Sequence, residues 1–242
     1  KISYLSIKEQ NQNRPAEKFE NRTLATNIEE NLPFSLTSDQ KKSYEEIAKD
    51  IASGSPMLRL LQGDVGSGKT IVAALIAAHV VEDQKQVVIL APTTILANQH
   101  YESFCEWYGD NEKIVLLTSK LPVKEKREIY QNVRDGVAKI IIGTHAVFQD
   151  ELIYQNLSLV IYDEQHRFGV NQRLKLKEKA FDYPHQLLLS ATPIPRTMAM
   201  GVLSGLDIST IKTLPPSRIP VTTSTLSNSK RDALIKRIQN AI

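Results

Sequence analysis

The sequence predicts a three-layer α/β/α sandwich with a mainly parallel sheet. Short, nearly continuous apolar runs alternate with segments long enough for helices of a dozen or so residues, and polar or glycine-rich motifs follow the ends of these runs. Apolar runs of this kind are typical of parallel strands that are covered on both faces. In such sheets ligands bind beyond the carboxyl ends of the strands, so we expect the motifs to share one side of the domain.

The first elements are predicted around residue 60. Thr37 is the expected N-cap of a helix that runs to about Ser53, and Gly54-Ser55-Pro56 ends that helix. Residues 57–62 are predicted to form a short buried strand, and the small and branched apolar residues 71–78 a helix. A glycine-rich segment joins this strand to this helix.

Further strands are predicted where short β-branched or leucine-rich runs lie between turn or helix-start residues. These runs are Gln86 to Ala91, Lys113 to Thr118, Lys139 to Gly143, Leu157 to Asp163 and Gln186 to Ser190. After them the proline-rich residues 214–220 favour extended structure and indicate a domain boundary. A strand over 221–226 and an amphipathic helix over 227–242 are predicted to follow.

The composition is that of a globular protein, with 41% hydrophobic and 24% charged residues. The net charge of +3 permits contact with nucleic acid but is too small to indicate it alone. A single cysteine, Cys105, excludes an internal disulfide framework and indicates a reducing, cytoplasmic location. No apolar run is long enough for a membrane span, so we expect no membrane partner.

Residues 63–70 match the phosphate-loop pattern G-x-x-x-x-G-K-[ST] at every fixed position and stand between a predicted strand and a predicted helix. In this loop consecutive backbone N–H groups point at phosphate oxygens, and the helix N-terminus adds partial positive charge. Lys69 is expected to reach the β and γ phosphates of a nucleoside triphosphate, and Thr70 to hold Mg²⁺. The other candidate binding residues of the loop are Gly63, Asp64, Val65, Gly66, Ser67 and Gly68. A flexible glycine turn is the alternative.

Two adjacent carboxylates end the predicted strand over 157–163. Asp163 is the natural metal-side carboxylate, and Glu164 is placed to orient or deprotonate the attacking water. The alternative is a helix N-cap region, where acidic residues are also favoured. His166 follows the same strand end and is a further candidate catalytic residue, whereas the scattered histidines lack the spacing of a transition-metal site.

Five segments occur in the order seen in superfamily-2 helicases, which the chain therefore resembles. They are residues 63–70, 91–100, 143–145, 163–166 and 190–197. Arg167-Phe168-Gly169-Val170 and Pro193-Ile194-Pro195-Arg196-Thr197 narrow the resemblance to the RecG family of bacterial branched-DNA translocases. The transcription-repair coupling translocases are also similar, but typically carry Glu where this chain has Gln165.

The resemblance implies an adenine-recognising segment upstream of the phosphate loop, and hence ATP as the nucleotide. Gln40 can both donate to and accept from an adenine edge, and Phe34 can stack on the ring. The alternative for these two residues is a solvated helix glutamine beside a core phenylalanine.

The resemblance also implies a track for the backbone of branched, single-stranded or double-stranded DNA. Hydroxyls and backbone N–H groups at strand ends grip phosphates without reading bases. The candidates are Thr93, Thr94, Thr118, Thr144 and His145, with Arg167 and Arg173 in the most basic segment of the chain. Each threonine alone is more often a helix cap, and basic residues are often just a solvated face. Ser190 and Thr192 are implied to relay the nucleotide state to this track.

Three regions are predicted along the chain. Residues 1–31 are expected to be a linker from an N-terminal wedge domain, 32–213 a first RecA-like helicase motor domain, and 214–242 an interdomain linker with the start of a second RecA-like domain. Arginine fingers belong to that second domain, so weak or absent ATP hydrolysis is expected of this fragment. A rival interpretation from another class is a switch module that binds ATP without hydrolysing it.

Overall fold

A computed structural model of the chain describes residues 16–109, 113–164, 176, 179–180, 183–192, 206–213, 227 and 231–239. Several predicted features lie outside these residues. They are His166, Arg167 and Arg173, the segment 193–197, and the strand expected over 221–226.

Seven parallel strands make up the described sheet, with the order β3-β4-β2-β5-β6-β1-β7. They are β1 (Leu58–Gly63), β2 (Gln86–Leu90), β3 (Ile114–Leu117), β4 (Ile140–Gly143), β5 (Leu157–Asp163), β6 (His185–Ser190) and β7 (Asp207–Ile211). The first six follow the runs predicted from sequence to within a residue or so at most ends.

Two hydrophobic cores lie on opposite faces of this sheet. Neighbouring residues of one strand enter different cores, as Ile89 and Val88 do in β2, because successive side chains of a strand point to opposite faces. Every strand from β1 to β6 contributes buried residues to both cores, including the short outer strand β3, where Ile114 enters one core and Leu117 the other. Apolar burial on both faces explains the continuous apolar runs, and the predicted three-layer α/β/α fold is confirmed.

The helices differ in which face of the sheet they cover. They are α1 (Thr23–Asn31), α2 (Ser38–Ile51), α3 (Lys69–Glu82), α4 (Thr94–Tyr108), α5 (Val123–Arg134) and α6 (Arg231–Gln239), with a 3₁₀ turn over His145–Phe148. Residues of α1 to α4 pack into the core that contains Ile89, whereas Val133 of α5 and the 3₁₀ turn pack into the core that contains Val88. The predicted helix after residue 70 is α3, whose residues from Ile71 to Val81 are all buried.

Thr37 is the N-cap of α2, as the sequence predicts, and a capping box with Gln40 fixes this helix start. The Thr37 hydroxyl accepts from the backbone N–H of Gln40, and the Gln40 side-chain oxygen accepts from the backbone N–H of Thr37 at 2.7 Å. This reciprocal pair satisfies two N–H groups that a helix start otherwise leaves without partners.

Residues 16–31 are packed on the domain, although composition suggested few apolar anchors there. Phe19, Ala25 and Ile28 are buried in the same core as α3. The Glu17 carboxylate pairs with Lys85 and accepts from the Ser158 hydroxyl, and its backbone oxygen lies 2.9 Å from His185 Nε2. Three buried side chains spread over ten residues form no strong pattern in a polar segment, which is why sequence alone did not reveal them.

The strand β7 was not predicted from sequence. It pairs with β1 alone in the described sheet, and its residues alternate between exposed and buried positions. Directly after it, the Asp39 carboxylate of α2 accepts from the backbone N–H groups of Lys212 and Thr213 at 2.9 and 2.8 Å. The segment directly after β7 is thus fastened to the start of α2.

No helix among the described residues is long and apolar enough to cross a membrane.

Candidate nucleotide and nucleic-acid site

The predicted motifs lie at the carboxyl ends of neighbouring parallel strands. Following the strand order from β3 to β1, the segments that leave these ends begin at Thr118, Thr144, Ala91, Glu164, Ala191 and Asp64. Residues predicted to contact nucleic acid therefore follow β3, β4 and β2, and those predicted for phosphate chemistry follow β5, β6 and β1. The fold thus brings both groups to one side of the sheet, in two adjacent blocks.

The phosphate loop owes its shape to two glycines and one glutamine. Gly66 and Gly68 have φ angles of 77° and 81°, in the left-handed region that other residues enter at a cost. The Gln40 side-chain nitrogen donates to the backbone oxygen of Ser67 at 2.8 Å, and a Cβ added to Gly68 would lie 2.1 Å from that nitrogen. Glycine at position 68 is therefore required both by backbone conformation and by space.

The lysine of the loop is held close to the loop backbone. Lys69 Nζ donates to the carbonyl oxygens of Gly63 and Asp64 at 2.7 and 2.9 Å. Burial lowers the pKa of Lys69, while the negative charges of Asp163, Glu164 and Asp64 act in the opposite direction. The loop lysine therefore lies within electrostatic range of the acidic pair at the end of β5.

The acidic pair is held by the ladder between β5 and β6. Asp163 is paired with Leu189 in that ladder, and the next residue, Glu164, donates its backbone N–H to the Leu189 carbonyl at 3.1 Å. Glu164 has a φ of 51°, which is uncommon for a residue with a side chain. Backbone strain of this kind is concentrated at functional sites, where the surroundings enforce it.

The residues present fit Mg²⁺ held together with phosphate. The Thr70 hydroxyl and the Asp163 carboxylate supply oxygen, the ligand that Mg²⁺ prefers. Among the described residues no three His, Cys, Asp or Glu side chains lie close enough together to hold a metal ion alone. A magnesium site that keeps several waters and takes further ligands from substrate phosphates needs only one or two protein oxygens.

Ser67 adds a second observation on the loop. Its residue is fully buried, and its hydroxyl is one of three buried side-chain atoms in the described part of the chain that lack a hydrogen-bond partner. A buried hydroxyl without a partner carries a free-energy cost, so the loop is not fully satisfied by its own protein contacts.

His100 is a site residue that the sequence analysis did not single out. Its Nε2 lies 2.8 Å from Asp163 Oδ2, and the two side chains are 9% and 15% exposed. His100 shares the buried face of α4 with Ala97 and Phe104. A histidine at helical spacing among buried residues was the available signal, but periodicity does not reveal which strand end it meets.

The predicted adenine residues have different environments. Gln40 is buried and holds both Thr37 and Ser67, so it is not the solvated glutamine of the alternative interpretation. Phe34 is 47% exposed and therefore is not a core phenylalanine. It lines a cavity of about 480 Å³ together with Leu32, Leu36 and Lys41. That volume lies within the range of small-molecule sites.

The threonines predicted for the nucleic-acid track are not equally accessible. Thr93 is exposed and caps α4, with its hydroxyl accepting from the Leu96 N–H, and Thr94 is the first residue of that helix. Thr118 and Thr144 are buried, with 4% and 8% of their surface exposed, while His145 is exposed at the start of the 3₁₀ turn. Thr93 is therefore a helix cap, as the alternative interpretation states.

Ser190 and Thr192 form a compact turn at the end of β6. Their hydroxyl oxygens lie 3.0 Å apart, and the Thr192 backbone N–H donates to the Ser190 hydroxyl at 3.2 Å. Gln62, directly before the phosphate loop, is the ladder partner of Ser190, and β5 lies on the other side of β6. The turn therefore stands between the loop and the acidic pair.

Comparisons with known proteins agree with this geometry. The chain is 47% identical over 214 residues to the ATP-dependent DNA helicase RecG of Haemophilus influenzae, and 44% identical over 225 residues to that of Escherichia coli K12. These matches cover 87% and 91% of this chain but 31% and 32% of the relatives, so the chain spans about a third of their length.

A solved structure of RecG bound to a three-way DNA junction matches 97% of this chain and 32% of that one, with 36% identity and a TM-score of 0.84. The resemblance to RecG drawn from the sequence motifs is confirmed. The model of the DEAD/DEAH box helicase family matches residues 37–200, which is more than half of the chain. This chain therefore belongs to the DEAD/DEAH box helicase family.

Proposed function

We propose that this chain is the ATP-binding motor domain of a DNA helicase or translocase that remodels branched DNA, such as stalled replication forks and recombination intermediates. The observation that carries the proposal is the phosphate loop after β1 within electrostatic range of Asp163 and Glu164 after β5. Similarity to RecG, including the structure bound to a three-way junction, supports branched DNA as the substrate.

Lys69 and the loop N–H groups bind the triphosphate in this proposal. The Lys69 ammonium exchanges its present contacts with Gly63 and Asp64 for the β and γ phosphates, which are stronger acceptors because they are charged. Thr70 and Asp163 hold Mg²⁺, which neutralises charge on the phosphates. Gly63, Asp64, Val65, Gly66, Ser67 and Gly68 form the wall of this pocket.

Glu164 orients or deprotonates the water that attacks the γ phosphate. Its backbone is locked to Leu189 of β6, so its carboxylate is directed by the sheet and not by a flexible loop. His166 remains a proposed catalytic residue on the same segment, outside the described part of the chain.

The segment before α2 selects ATP by contacting its adenine base. Phe34 is exposed enough to stack on a base, and Gln40 links that region to the phosphate loop through Ser67. A nucleotide with its base at Phe34 and its phosphates in the loop therefore contacts two segments that the Gln40 side chain joins.

DNA is proposed to run along the ends of β3, β4 and β2, beside Thr93, Thr94, Thr118, Thr144 and His145. Arg167 and Arg173 are the proposed basic contacts, and neither is a described residue. Ser190 and Thr192 couple the nucleotide to this track, a role that the resemblance implies, and their turn adjoins both the phosphate loop and the acidic pair.

The rest of the machine is proposed to lie in other domains. Residues 32–213 form the first motor domain, 214–242 lead into a second RecA-like domain, and residues 1–31 connect to a wedge domain. Arginine fingers from a second domain raise turnover by about 10³ to 10⁵. We therefore expect residues 1–242 on their own to bind ATP with Mg²⁺, to hydrolyse it weakly or not at all, and not to unwind forks.

Binding of a fluorescent ATP analogue to the Lys69→Ala variant tests the phosphate assignment. We expect affinity to fall at least tenfold, because a charge-assisted contact to phosphate is lost. Lys49→Ala, in an exposed position at the end of α2, is the matched control and should bind as the unmodified chain does. Equal affinity of the Lys69→Ala variant and the control would show that the assignment is wrong.

Single-turnover hydrolysis separates a motor from a nucleotide switch. In the full-length protein, Glu164→Gln should slow hydrolysis by about 10² to 10⁴, the usual contribution of a positioned general base. A switch module would be indifferent to this change.

A further inference from the structure

We propose that His100 is a positioning residue that fixes the metal-side carboxylate of Asp163. This inference rests on the proposed function and adds a residue that has no direct part in the phosphate chemistry. The contact joins α4, which follows β2, to the end of β5, the adjacent strand.

The contact has the geometry of a directed hydrogen bond. The 2.8 Å between His100 Nε2 and Asp163 Oδ2 is a normal donor-to-acceptor distance. A carboxylate oxygen accepts from a ring N–H, so the contact is a hydrogen bond in the tautomer that carries its proton on Nε2. The contact uses one carboxylate oxygen, Oδ2, and Oδ1 is not part of it.

The position of His100 favours a role at the site over a role in packing. Ala97 and Phe104 on the same helix face are apolar and fully buried, as core packing requires. His100 introduces a polar ring on that face and places it against the one carboxylate at the end of β5 that the metal is expected to need. Partners of this kind orient metal ligands, and their loss typically lowers metal affinity by 10- to 100-fold.

The same helix carries two residues of the proposed nucleic-acid track. Thr93 caps α4 and Thr94 is its first residue, whereas His100 lies near its middle. A rigid helix therefore joins the track to Asp163, and a shift of α4 along its axis would move Nε2 relative to the carboxylate.

Two substitutions separate positioning from packing. Gln carries its amide nitrogen at the position of the histidine Nε2 and can keep the bond, whereas Asn carries it at the position of Nδ1 and cannot reach. The probe is a fluorescent ATP analogue, whose dissociation constant is measured in the full-length protein with Mg²⁺ and with EDTA.

We expect His100→Asn to raise the Mg²⁺ concentration that gives half-maximal tightening of analogue binding by about tenfold, with binding in EDTA unchanged. His100→Gln should restore the Mg²⁺ dependence to within about threefold. Equal Mg²⁺ dependence in the unmodified protein and His100→Asn would overturn the proposal. Equal impairment in both variants would assign His100 to packing and overturn it as well.

Two controls separate this inference from the proposed function. Asp163→Asn should weaken the Mg²⁺ dependence at least as strongly as His100→Asn; if neither Asp163→Asn nor Lys69→Ala alters binding, the proposed function itself fails. Should His100→Asn not fold, the imidazole ¹H–¹⁵N signal of His100 in the unmodified protein gives an independent readout. It should shift when Mg²⁺ is added to the nucleotide complex, and an unmoved signal would contradict the proposal.

Discussion

The side-chain nitrogen of Gln40 donates a hydrogen bond of 2.8 Å to the backbone oxygen of Ser67. The oxygen of the same amide accepts from the Thr37 N–H, so both ends of the side chain are fixed. One buried amide therefore joins the start of α2 to the phosphate loop.

The change Gln40→Glu tests this link. The carboxylate keeps the acceptor for Thr37 but presents an oxygen to the Ser67 carbonyl, so two acceptors face each other in a buried place. We expect a loss of about 1–3 kcal/mol in the free energy of unfolding, together with weaker binding of an ATP analogue. Chemical denaturation measures the first effect. Gln99→Glu, on the exposed side of α4, is the control and should change stability by less than about 0.5 kcal/mol.

Alanine substitutions at two glycines with positive φ, Gly68 and Gly109, distinguish steric conflict from backbone strain. In Gly68→Ala the new Cβ meets Gln40 Nε2 at 2.1 Å, whereas in Gly109→Ala no atom lies within 4 Å. Both changes carry the cost of a left-handed conformation, about 1–2 kcal/mol. We expect Gly68→Ala to be the more destabilising in thermal or chemical unfolding, and to weaken nucleotide binding. Similar losses for both variants would show that the Gln40 contact does not constrain the loop.

Stability should fall in acid because of His79. Burial, and then the positive charge of Arg22, lower the pKa of His79 from 6.5 to about 4. Between these values the unfolded chain binds a proton that the folded chain does not, so unfolding is favoured as the pH decreases. The free energy of unfolding is not reduced by His79 above pH 6.5. It falls progressively as the pH decreases towards 4, by up to about 3 kcal/mol.

The measurement is the free energy of unfolding by urea at several pH values from 7 to 4.5. His79→Gln should flatten this dependence, at some loss of stability at pH 7 because His79 Nε2 lies 2.8 Å from the Tyr44 hydroxyl. His145→Gln, in an exposed position, is the matched histidine control. An unchanged slope in His79→Gln would refute this account.

The Asp39 contact predicts local protection of the backbone directly after β7. Hydrogen bonds from the backbone of Thr213 and then Lys212 lower the pKa of Asp39, so at pH 7 the carboxylate is ionised and accepts both bonds. Asp39→Ala should accelerate hydrogen exchange of these two amides roughly tenfold, by loss of a charged acceptor. Asp135→Ala at the end of α5 is the control. Protection that survives in Asp39→Ala would assign it to another contact.

Sequence reasoning reached those parts of the fold that local chemistry determines. Thr37 predicts a helix start because an N-cap is a local signal, and β2 and β5 are recognisable because both of their faces are buried. The phosphate loop was recognisable for the same reason, since its shape depends on glycines within eight residues.

What sequence reasoning missed depends on contacts between distant residues. The edge strand β7 alternates in burial and lacks a continuous apolar run, and the helix Thr23–Asn31 buries only two residues. His100 meets Asp163 across 63 positions of the chain, and which helix faces which strand end follows from the strand order and not from a local pattern.

The strand order also sets a distance scale for the proposed site. From β3, whose end is followed by Thr118, to β1, whose end begins the phosphate loop, there are five steps across the sheet. At about 4.8 Å per step these ends are some 24 Å apart, more than twice the length of an extended side chain. No ligand phosphate held at Thr118 can touch Lys69. Communication between the two ends is therefore expected to involve groups on the intervening strands, and a substitution inside β2 or β5, away from the strand ends that carry Thr93 and Asp163, should alter it without contacting either ligand.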